Sequence, residues 1–550
     1  MNSSIVFHKS VPACLIFFLF YFLTGTSLLA QASLVRDINP GSTSSLGSRK
    51  MATLNGKLIF TATTDTYGSE LYMSDGTSSG TVLLKDINPG PSGSAIQNLH
   101  ATTGYVFFFA DNGTNGLEVW RTDGTSEGTI LINDLAAGSA SGISSAFFGK
   151  GALASDSNFY FIAGLSSKSL YKTNGEAGNM ELIKSSEDLK DILGFHHGNL
   201  YFTQYYYGGN YVSSLWETDG TPAGTHKVKQ VNVNFSGIYD YFITLDSNIY
   251  FVLNTPAEGA ELWKSDGTEA GTALVKDVVP GAAGSIVDTW TDFYVWNNEI
   301  YFVVFHGPNV QELWKTDGTE TGTVLVKTLP NRNESLAPGS GRLEMLGLAS
   351  LLVFTTYNDS NGFRDLWVTD GTEAGTTLLA GGEGGNYFSP VYLTLFENKA
   401  FFSAKKSPYG QELFKSDGTV AGTMLAADVY VGTSGSSPGR MTVLDSTLYF
   451  AASSFNTGNE LFRYRSPIVS LSEAGASNLF GVFPNPAGYT LHVQADKNIG
   501  SLRLTNSMGT VVYSAFVDDM NYTFTTEGLP DGVYFLSTET GTKTVILQKK

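Results

Sequence analysis

The chain has 550 residues, of which 42% are hydrophobic and 15% charged, a composition that supports a large folded core and excludes a disordered polyampholyte. Its 51 acidic side chains outnumber the 33 basic ones, and the formal net charge of −18 argues against nucleic-acid binding, which requires a basic surface. Cys14 is the only cysteine, so we expect neither disulfide bonds nor thiol chemistry in the folded protein.

The first 32 residues have the pattern of a secretory signal peptide. Lys9 is the only charged side chain before an apolar run from Cys14 to Leu23, and Ala30-Gln31-Ala32 has the small-x-small pattern of a cleavage site. We therefore predict a signal peptide over residues 1–32, cleaved after Ala32. A membrane anchor is the alternative, but the apolar run is short for a span and no stop-transfer charges follow it.

A twelve-residue phrase then recurs along most of the chain. Its clearest copy is Glu-Leu-Trp-Lys-Ser-Asp-Gly-Thr-Glu-Ala-Gly-Thr at residues 261–272, and its aspartate, or Asn174 in its place, returns every 45 to 53 residues. This period is too long for a coiled coil and is typical of one supersecondary unit repeated many times. Recognisable copies begin at Glu70, Glu118, Glu312, Asp365 and Glu412, and looser copies begin at Ser169, Ser214 and Glu460.

Each period contains four short strand-like runs separated by turn residues, a pattern typical of a meander of hairpins. The third run has an aliphatic residue at its second position and an aromatic one at its third, as in Leu262 and Trp263. Neighbouring residues on a strand face opposite sides of the sheet, so both faces of each sheet must be covered. Radial stacking of similar sheets covers both faces, which predicts an all-β fold of the β-propeller type.

The ends of the repeat region predict how it closes. Residues 34–41 match the fourth run at residues 84–90, whereas the last copy, at residues 460–463, is a third run with no Asp-Gly-Thr turn after it. Together they predict a closed ring over residues 33–465, in which the N-terminal strand completes the last blade. This count gives about nine four-stranded blades, and eight blades or an open solenoid are the alternatives.

The chain after the repeats has a different character. Residues 466–478 are predicted to be a linker, and residues 479–550 contain short alternating strands typical of a small immunoglobulin-like β-sandwich. Their Val-Phe-Pro-Asn-Pro motif, their Leu-Pro-Asp-Gly-Val-Tyr-Phe-Leu motif and their basic ending resemble the C-terminal sorting domain of the type IX secretion system of Bacteroidota. The residues that carry this resemblance are Pro484, Asn485, Pro486, Gly532, Tyr534 and Lys543.

The resemblance implies export to the periplasm by the N-terminal signal and passage across the outer membrane directed by the tail. The mature protein would be secreted or attached to the outer cell surface, with the type IX secretion machinery as partner of the C-terminal domain. A carbohydrate-binding or fibronectin-like sandwich is the alternative. The repeats also resemble the Glu-Leu-Trp-x-x-Asp-Gly-Thr-x-x-Gly-Thr family of bacterial surface proteins, which carries no activity that transfers to residues here.

The recurrent Asp-Gly-Thr segment is explained by turn chemistry. Aspartate accepts hydrogen bonds from backbone amides two residues on, glycine permits positive φ, and threonine favours re-entry into a strand. Ca²⁺ bound by rings of Asp and Glu is the alternative, but a calcium loop concentrates several carboxylates and these turns have one each. We therefore expect no cofactor, and the histidines show no metal-ligand spacing.

The fourth copy departs from the pattern in a way that predicts a binding site. Most copies have a short turn between the second and third runs, whereas this one has Gln204-Tyr205-Tyr206-Tyr207-Gly208-Gly209-Asn210-Tyr211. Tyr205, Tyr206, Tyr207 and Tyr211 are hard to bury at a rim, and tyrosine rings stack on sugars or partner proteins. The alternative is that they extend the two strands and pack on a neighbouring blade. Weaker candidates of the same kind are Tyr357 to Phe363, Trp290 and Trp296.

The sequence thus predicts an exported, secreted or surface-attached β-propeller that acts as a non-catalytic ligand-binding, adhesion or scaffold module. No catalytic residue is predicted. Two alternatives stay open. One is a glycan-active hydrolase or lyase with acids from several blades, because a sequence does not show which distant carboxylates meet. The other is a purely structural surface protein. We expect no nucleic-acid partner and no transmembrane segment after signal cleavage.

Overall fold

We describe the fold from a computed structural model of the chain. The residues it describes are 32–47, 51–143, 151–155, 157–164, 168–234, 237–239, 241–286, 292–306, 310–329, 343–357, 363–381, 388–466, 480–483, 487–495, 497–506, 511–538 and 541–549. Several predicted features lie outside the described residues: the signal peptide up to Gln31, the linker from Pro467 onward, Trp290, residues 358–362, and Pro484, Asn485 and Pro486.

The chain divides into two compact units, Met1–Pro467 and Ile468–Lys550. Every described element of regular secondary structure in both units is a β-strand, which confirms the predicted all-β class. The described residues include no apolar helix of membrane-spanning length.

The described part of the first unit contains nine four-stranded antiparallel sheets, numbered here in chain order. Sheet 1 is β2–β5 (Ala52–Leu54, Lys57–Thr64, Gly68–Ser74, Val82–Lys85), sheet 2 is β6–β9 (Gln97–Ala101, Val106–Asp111, Leu117–Thr122, Ile130–Asn133), and sheet 3 is β10–β13 (Ala152–Ala154, Phe159–Ala163, Ser169–Thr173, Glu181–Ser185). Sheet 4 is β14–β17 (Leu189–His196, Asn199–Tyr207, Tyr211–Thr218, His226–Asn232), sheet 5 is β18–β21 (Ile243–Leu245, Asn248–Thr255, Gly259–Ser265, Ala273–Leu274), and sheet 6 is β22–β25 (Phe293–Trp296, Glu299–His306, Val310–Thr316, Val324–Leu329). Sheet 7 is β26–β29 (Met345–Gly347, Leu352–Tyr357, Arg364–Thr369, Thr377–Ala380), sheet 8 is β30–β33 (Val391–Phe396, Lys399–Lys406, Gly410–Ser416, Met424–Ala427), and sheet 9 combines β34–β36 (Thr442–Leu444, Thr447–Ser454, Thr457–Tyr464) with β1 (Ser33–Arg36).

Sheet 9 joins the two ends of the repeat region. Sheets 1 to 8 each consist of four consecutive strands that pair in chain order. In sheet 9, β1 pairs antiparallel with β36 through Ser33↔Arg463 and Leu34↔Phe462. The N-terminal strand therefore supplies the fourth strand that the last copy of the phrase lacks.

The apolar cores of this unit lie between consecutive sheets. Phe107 of sheet 2 stacks on Phe159 of sheet 3 with their ring centroids 5.0 Å apart. On the third strand of sheet 2, Val119 belongs to this core, whereas Trp120 belongs to the core shared with sheet 1. The aliphatic and aromatic positions of the phrase thus cover opposite faces of the sheet.

The cores form an unbroken cycle. One cluster of buried side chains joins each sheet from 1 to 8 to the sheet that follows it. A further cluster joins sheet 9 to sheet 1, where Tyr449 and Leu461 pack with Leu58 and Phe60. Sheet 9 is therefore covered on both faces, like the others.

Basic side chains in or just after the fourth strands also donate hydrogen bonds to the next sheet. Lys85 Nζ of sheet 1 donates to the carbonyl of Thr129 in sheet 2, at 2.8 Å. Corresponding contacts to a threonine carbonyl in the next sheet are made by Lys229, Lys276 and Lys327. Arg36, on the N-terminal strand of sheet 9, contacts the carbonyl of Thr81 in sheet 1 at 2.6 Å. The contact between the last and first sheets thus repeats the contact found elsewhere.

The second unit consists of two antiparallel sheets that share one core. One sheet has the order β37-β38-β41 (Phe480–Phe483, Thr490–Ala495, Asn521–Thr525), and the other has the order β40-β39-β42-β43 (Val511–Val517, Gly500–Asn506, Gly532–Thr538, Gly541–Leu547). Leu491 and Val493 of the first sheet are buried with Leu502, Leu504 and Leu536 of the second. The unit is therefore a small β-sandwich.

Candidate functional site

The Asp-Gly-Thr turn is closed by its own side chains. In sheet 1, Asp75 Oδ1 accepts hydrogen bonds from Thr77 N at 2.8 Å and Thr77 Oγ1 at 2.6 Å. These bonds lower the pKa of the Asp75 carboxyl. The same pair of bonds is accepted by Asp123, Asp219, Asp266, Asp317, Asp370 and Asp417. These aspartates therefore serve the turn, as turn chemistry predicts.

The leading glutamate of the phrase has a different role, which the sequence analysis missed. Glu70 is fully buried and accepts hydrogen bonds from the backbone N–H groups of Ile87 and Asn88, at 3.0 and 3.1 Å, and from Ser94 Oγ at 2.7 Å. All three donors lie in the segment that leads to sheet 2. The carboxylate therefore fixes the connection between two sheets.

Four other glutamates make the equivalent clamp: Glu118, Glu261, Glu412 and Glu460. Burial raises the pKa of each of the five, to about 7 for Glu261. For Glu70, Glu118, Glu261 and Glu460 a nearby aspartate adds to this rise in pKa, as Asp277 does for Glu261. The signal in the sequence was a serine 24 residues after the acid, as in Glu70 and Ser94, or Glu261 and Ser285.

Within the described part of the chain, no group of three or more His, Cys, Asp or Glu side chains is arranged to hold a metal ion. The clamp glutamates are occupied by backbone and serine donors, and the turn aspartates by their own threonines. The recurrent acids are thus explained by hydrogen bonding within the fold.

The tyrosine-rich segment of sheet 4 is a strand hairpin, although the sequence suggested a loop. β15 and β16 stay paired up to Tyr207↔Tyr211, which leaves only Gly208-Gly209-Asn210 as the turn. The outer strand β17 extends with them, and Asn232 pairs with Val212. The strand extension that we considered as the alternative is therefore present.

Three of the four tyrosines form a ladder on one face of this hairpin. Tyr205 stacks on Tyr211 with ring centroids 5.7 Å apart and an interplanar angle of 13°. Tyr207 lies against Tyr211 at 4.5 Å. Tyr206 points to the other face, because neighbouring residues on a strand alternate. Tyr207 and Tyr206 are 60% and 52% exposed, so one ring on each face is open to solvent.

The base of the ladder is anchored. Tyr205 and Tyr211 pack against the core between sheets 4 and 5. Lys190 Nζ lies 5.4 Å from the centre of the Tyr205 ring and 3.6 Å from Asp191 Oδ2. Because its lower rings are fixed by packing, the ladder presents Tyr207 on a rigid support. The weaker candidates Trp296 and Tyr357 are instead buried in the core between sheets 6 and 7.

A cavity of about 490 Å³ lies between the first strands of sheets 8, 9, 1 and 2. It is lined by Met51, Ala52, Thr53, Leu99, His100, Ala101, Thr394, Met441, Thr442 and Val443. Burial lowers the pKa of His100 to about 4, so this imidazole is neutral at physiological pH. None of the described lining residues carries a carboxylate.

The described residues of the C-terminal motif belong to the framework of the sandwich. Gly532 begins β42, and the buried Tyr534 donates its hydroxyl hydrogen bond to the carbonyl of Pro530 at 2.8 Å. Lys543 Nζ lies 5.5 Å from the centre of the Phe480 ring, across the two sheets. These contacts hold the strand ends of the unit together.

Residues 481–550 match the family described as the secretion system C-terminal sorting domain. This match confirms the predicted type IX sorting tail. It implies export, followed by secretion or attachment at the outer surface, and interaction with the secretion machinery. No curated protein matches the sequence.

The solved structures compared with this chain are distantly similar to it. PorZ, an essential bacterial surface component of the type IX secretion system of Porphyromonas gingivalis, is 12% identical, with 92% of this chain and 75% of that chain covered and a TM-score of 0.31. The β-propeller domain of the Trilobed protease from Pyrococcus furiosus is 10% identical over 57% and 93%, with a TM-score of 0.31. The Pyrococcus horikoshii acylaminoacyl peptidase is 9% identical over 65% and 57%, with a TM-score of 0.30. At these TM-scores the likenesses carry no argument about this chain.

Proposed function

We propose that residues 33–465 form a closed nine-bladed β-propeller that acts outside the cell as a non-catalytic ligand-binding module. In this proposal, residues 1–32 are the signal peptide and residues 479–550 are an immunoglobulin-like sorting sandwich. The cyclic series of cores and the pairing of β1 with β36 support closure. Arg463 of sheet 9 also donates to the carbonyl of Gly76 in sheet 1 at 2.8 Å, as Lys264 of sheet 5 does to Gly318 in sheet 6.

The observation that carries the binding role is the tyrosine ladder of Tyr205, Tyr207 and Tyr211. Tyr205 and Tyr211 pack against the core, so the ladder loses less side-chain conformational entropy when a ligand binds. The exposed Tyr207 ring offers an apolar face beside a hydroxyl. A sugar ring has an apolar face and hydroxyl edges that match this surface. The sorting tail places the ladder outside the cell, so we propose extracellular glycans as its ligands.

Adjacent tyrosines on opposite faces provide a matched test. The purified exported protein would be applied to a glycan array together with Tyr207→Ala and Tyr206→Ala, which remove rings of similar exposure. We expect Tyr207→Ala to weaken glycan binding about tenfold, the order of one lost stacking contact, and Tyr206→Ala to leave it unchanged. Equal binding by both variants, or no glycan bound by the wild type, would contradict the proposal.

A further inference from the structure

A second cleft, of about 550 Å³, lies over sheet 1. Its walls are two segments that enter neighbouring sheets, Ser45–Gly47 before sheet 1 and Ala95–Leu99 before and within β6 of sheet 2. Met51 and Leu99 line both this cleft and the cavity between the first strands of sheets 8, 9, 1 and 2, so the two spaces adjoin. We call this space the sheet 1 cleft.

The polar side chains of the sheet 1 cleft are not used by the fold. Thr61, Thr63, Ser69, Gln97 and Asn98 line it, and none of their side chains has a hydrogen-bond partner in the part of the chain that the structure describes. By contrast, the threonines of the Asp-Gly-Thr turns bond within their turns. Five converging side chains with unused donors and acceptors point to a ligand that can bond to them.

A β-bulge explains why consecutive residues face this cleft. In a regular strand Gln97, Asn98 and Leu99 would alternate between two faces. The pairing of β6 with β7 shifts register between Gln97 and His100, and Asn98 has a left-handed backbone with φ of 56°. Ala95, also on the cleft, has φ of 49°. Bulges and left-handed non-glycine residues cluster at sites where a side chain must be redirected.

The chemistry of the lining defines the class of ligand. The described lining residues carry no charge, their amides and hydroxyls both donate and accept, and Leu46, Met51, Ile96 and Leu99 give the cleft an apolar component. We propose that the sheet 1 cleft binds a neutral sugar residue of an extracellular glycan. Its volume is in the range of small-molecule sites. This proposal shares the extracellular location and the glycan class of ligand with the proposed function, but it does not depend on the tyrosine ladder.

Nearly isosteric variants remove the polar groups without opening the cleft. The full exported protein, its Gln97→Leu/Thr61→Val double variant and a Thr328→Val control on the outer strand of sheet 6 would be compared. The probes are an array of neutral glycans, the same glycans bearing sialic or uronic acid, and a peptide array. Binding constants for each neutral glycan bound would then be measured by titration calorimetry.

We expect at least one neutral glycan to bind, with an affinity at least tenfold lower in the double variant and unchanged in Thr328→Val. If the double variant shows no thermal unfolding transition and so does not fold, Thr61→Val alone must lower the affinity for the glycan measurably. Absence of neutral glycan binding, selective binding of acidic glycans or peptides, or unchanged affinity in the cleft variants would overturn the proposal. Loss of all binding in Tyr207→Ala with unchanged binding in the cleft variants would reject this site and support the tyrosine ladder.

Discussion

Sheets 1 and 4 occupy equivalent places in the repeat but end differently where the second strand turns into the third. In sheet 1, Glu70 holds the segment that leads to sheet 2, and a short turn joins β3 to β4. In sheet 4, Ser214 occupies the position of the leading acid, and its side chain is too short for such a clamp. The second and third strands of this sheet stay paired up to Tyr207 and Tyr211. The comparison shows that a four-stranded sheet of this repeat forms without the clamp, and that sheet 4 instead carries tyrosines at the tip of its hairpin.

The largest effect should come from removing a clamp. Glu70→Ala leaves the N–H groups of Ile87 and Asn88 and the Ser94 hydroxyl without an acceptor in a buried site, which should lower the free energy of unfolding by about 3 kcal/mol. Ser214→Ala should change it by less than about 1 kcal/mol. Urea unfolding measures both. If both variants lost the same free energy of unfolding, Glu70 would not stabilise sheet 1 more than Ser214 stabilises sheet 4.

The clamp glutamates should also make the free energy of unfolding depend on pH. Ser214, at the same position in sheet 4, does not titrate and should make no such contribution. Burial raises the pKa of Glu261 from 4.5 to about 7, so in this window the folded state binds a proton that the unfolded state does not. The stability from this group is fully present below pH 4.5 and is lost as the pH rises through about 7. Glu261→Gln should reduce the fall in unfolding free energy across this range by an amount on the order of 2 kcal/mol.

The measurement is the unfolding free energy from pH 4.5 to 7 for wild type, Glu261→Gln and the control Ser214→Ala. The control should follow the wild-type profile. A Glu261→Gln profile parallel to that of the wild type would show that this carboxyl does not titrate in the window.

A smaller effect is expected at the turns. Asp266 accepts two hydrogen bonds from Thr268, at 2.9 and 2.7 Å, whereas Asn174 in sheet 3 accepts one from Glu176 N at 3.0 Å. Asp266→Ala should destabilise the protein by about 1 kcal/mol and Asn174→Ala by roughly half as much. Thermal unfolding of the two variants tests this order, and a larger loss at Asn174 would reverse it.

The smallest effect on stability should be at the tip of the tyrosine ladder. Tyr207 is 60% exposed, so Tyr207→Ala should change the free energy of unfolding by no more than about 0.5 kcal/mol, measured by urea unfolding. Its partner Tyr205 packs on the core between sheets 4 and 5, and Tyr205→Ala should cost more. A loss above about 2 kcal/mol in Tyr207→Ala would show that the ladder holds the fold together.

The sequence predicted those features whose causes are local. Leu262 and Trp263 face opposite sides because strand geometry alternates, and Asp266 bonds to Thr268 two residues away. The clamp was not predicted, because Glu70 finds its donors 17 to 24 residues later, after a turn and a strand. The bulge at Gln97 was missed for a related reason, and the extended hairpin of sheet 4 was considered only as an alternative. Contacts with neighbouring sheets determine where a strand stops or shifts register, and the β-propensities of single residues do not contain this information.

The pairing of β1 with β36 has a consequence for the order of folding. Ser33 and Arg463 are 430 residues apart, and synthesis begins at the N-terminus, so β1 waits for its partner strand until almost the whole repeat region exists. The entropy of closing so long a loop grows only logarithmically with length, but non-local strand pairing is slow. During that delay the edges of β1 and of the later strands are open to pairing with other chains. If the chain is exported before β1 pairs with β36, it crosses the membrane with sheet 9 incomplete. The pairing of β1 with β36 is then the last folding step and follows translocation.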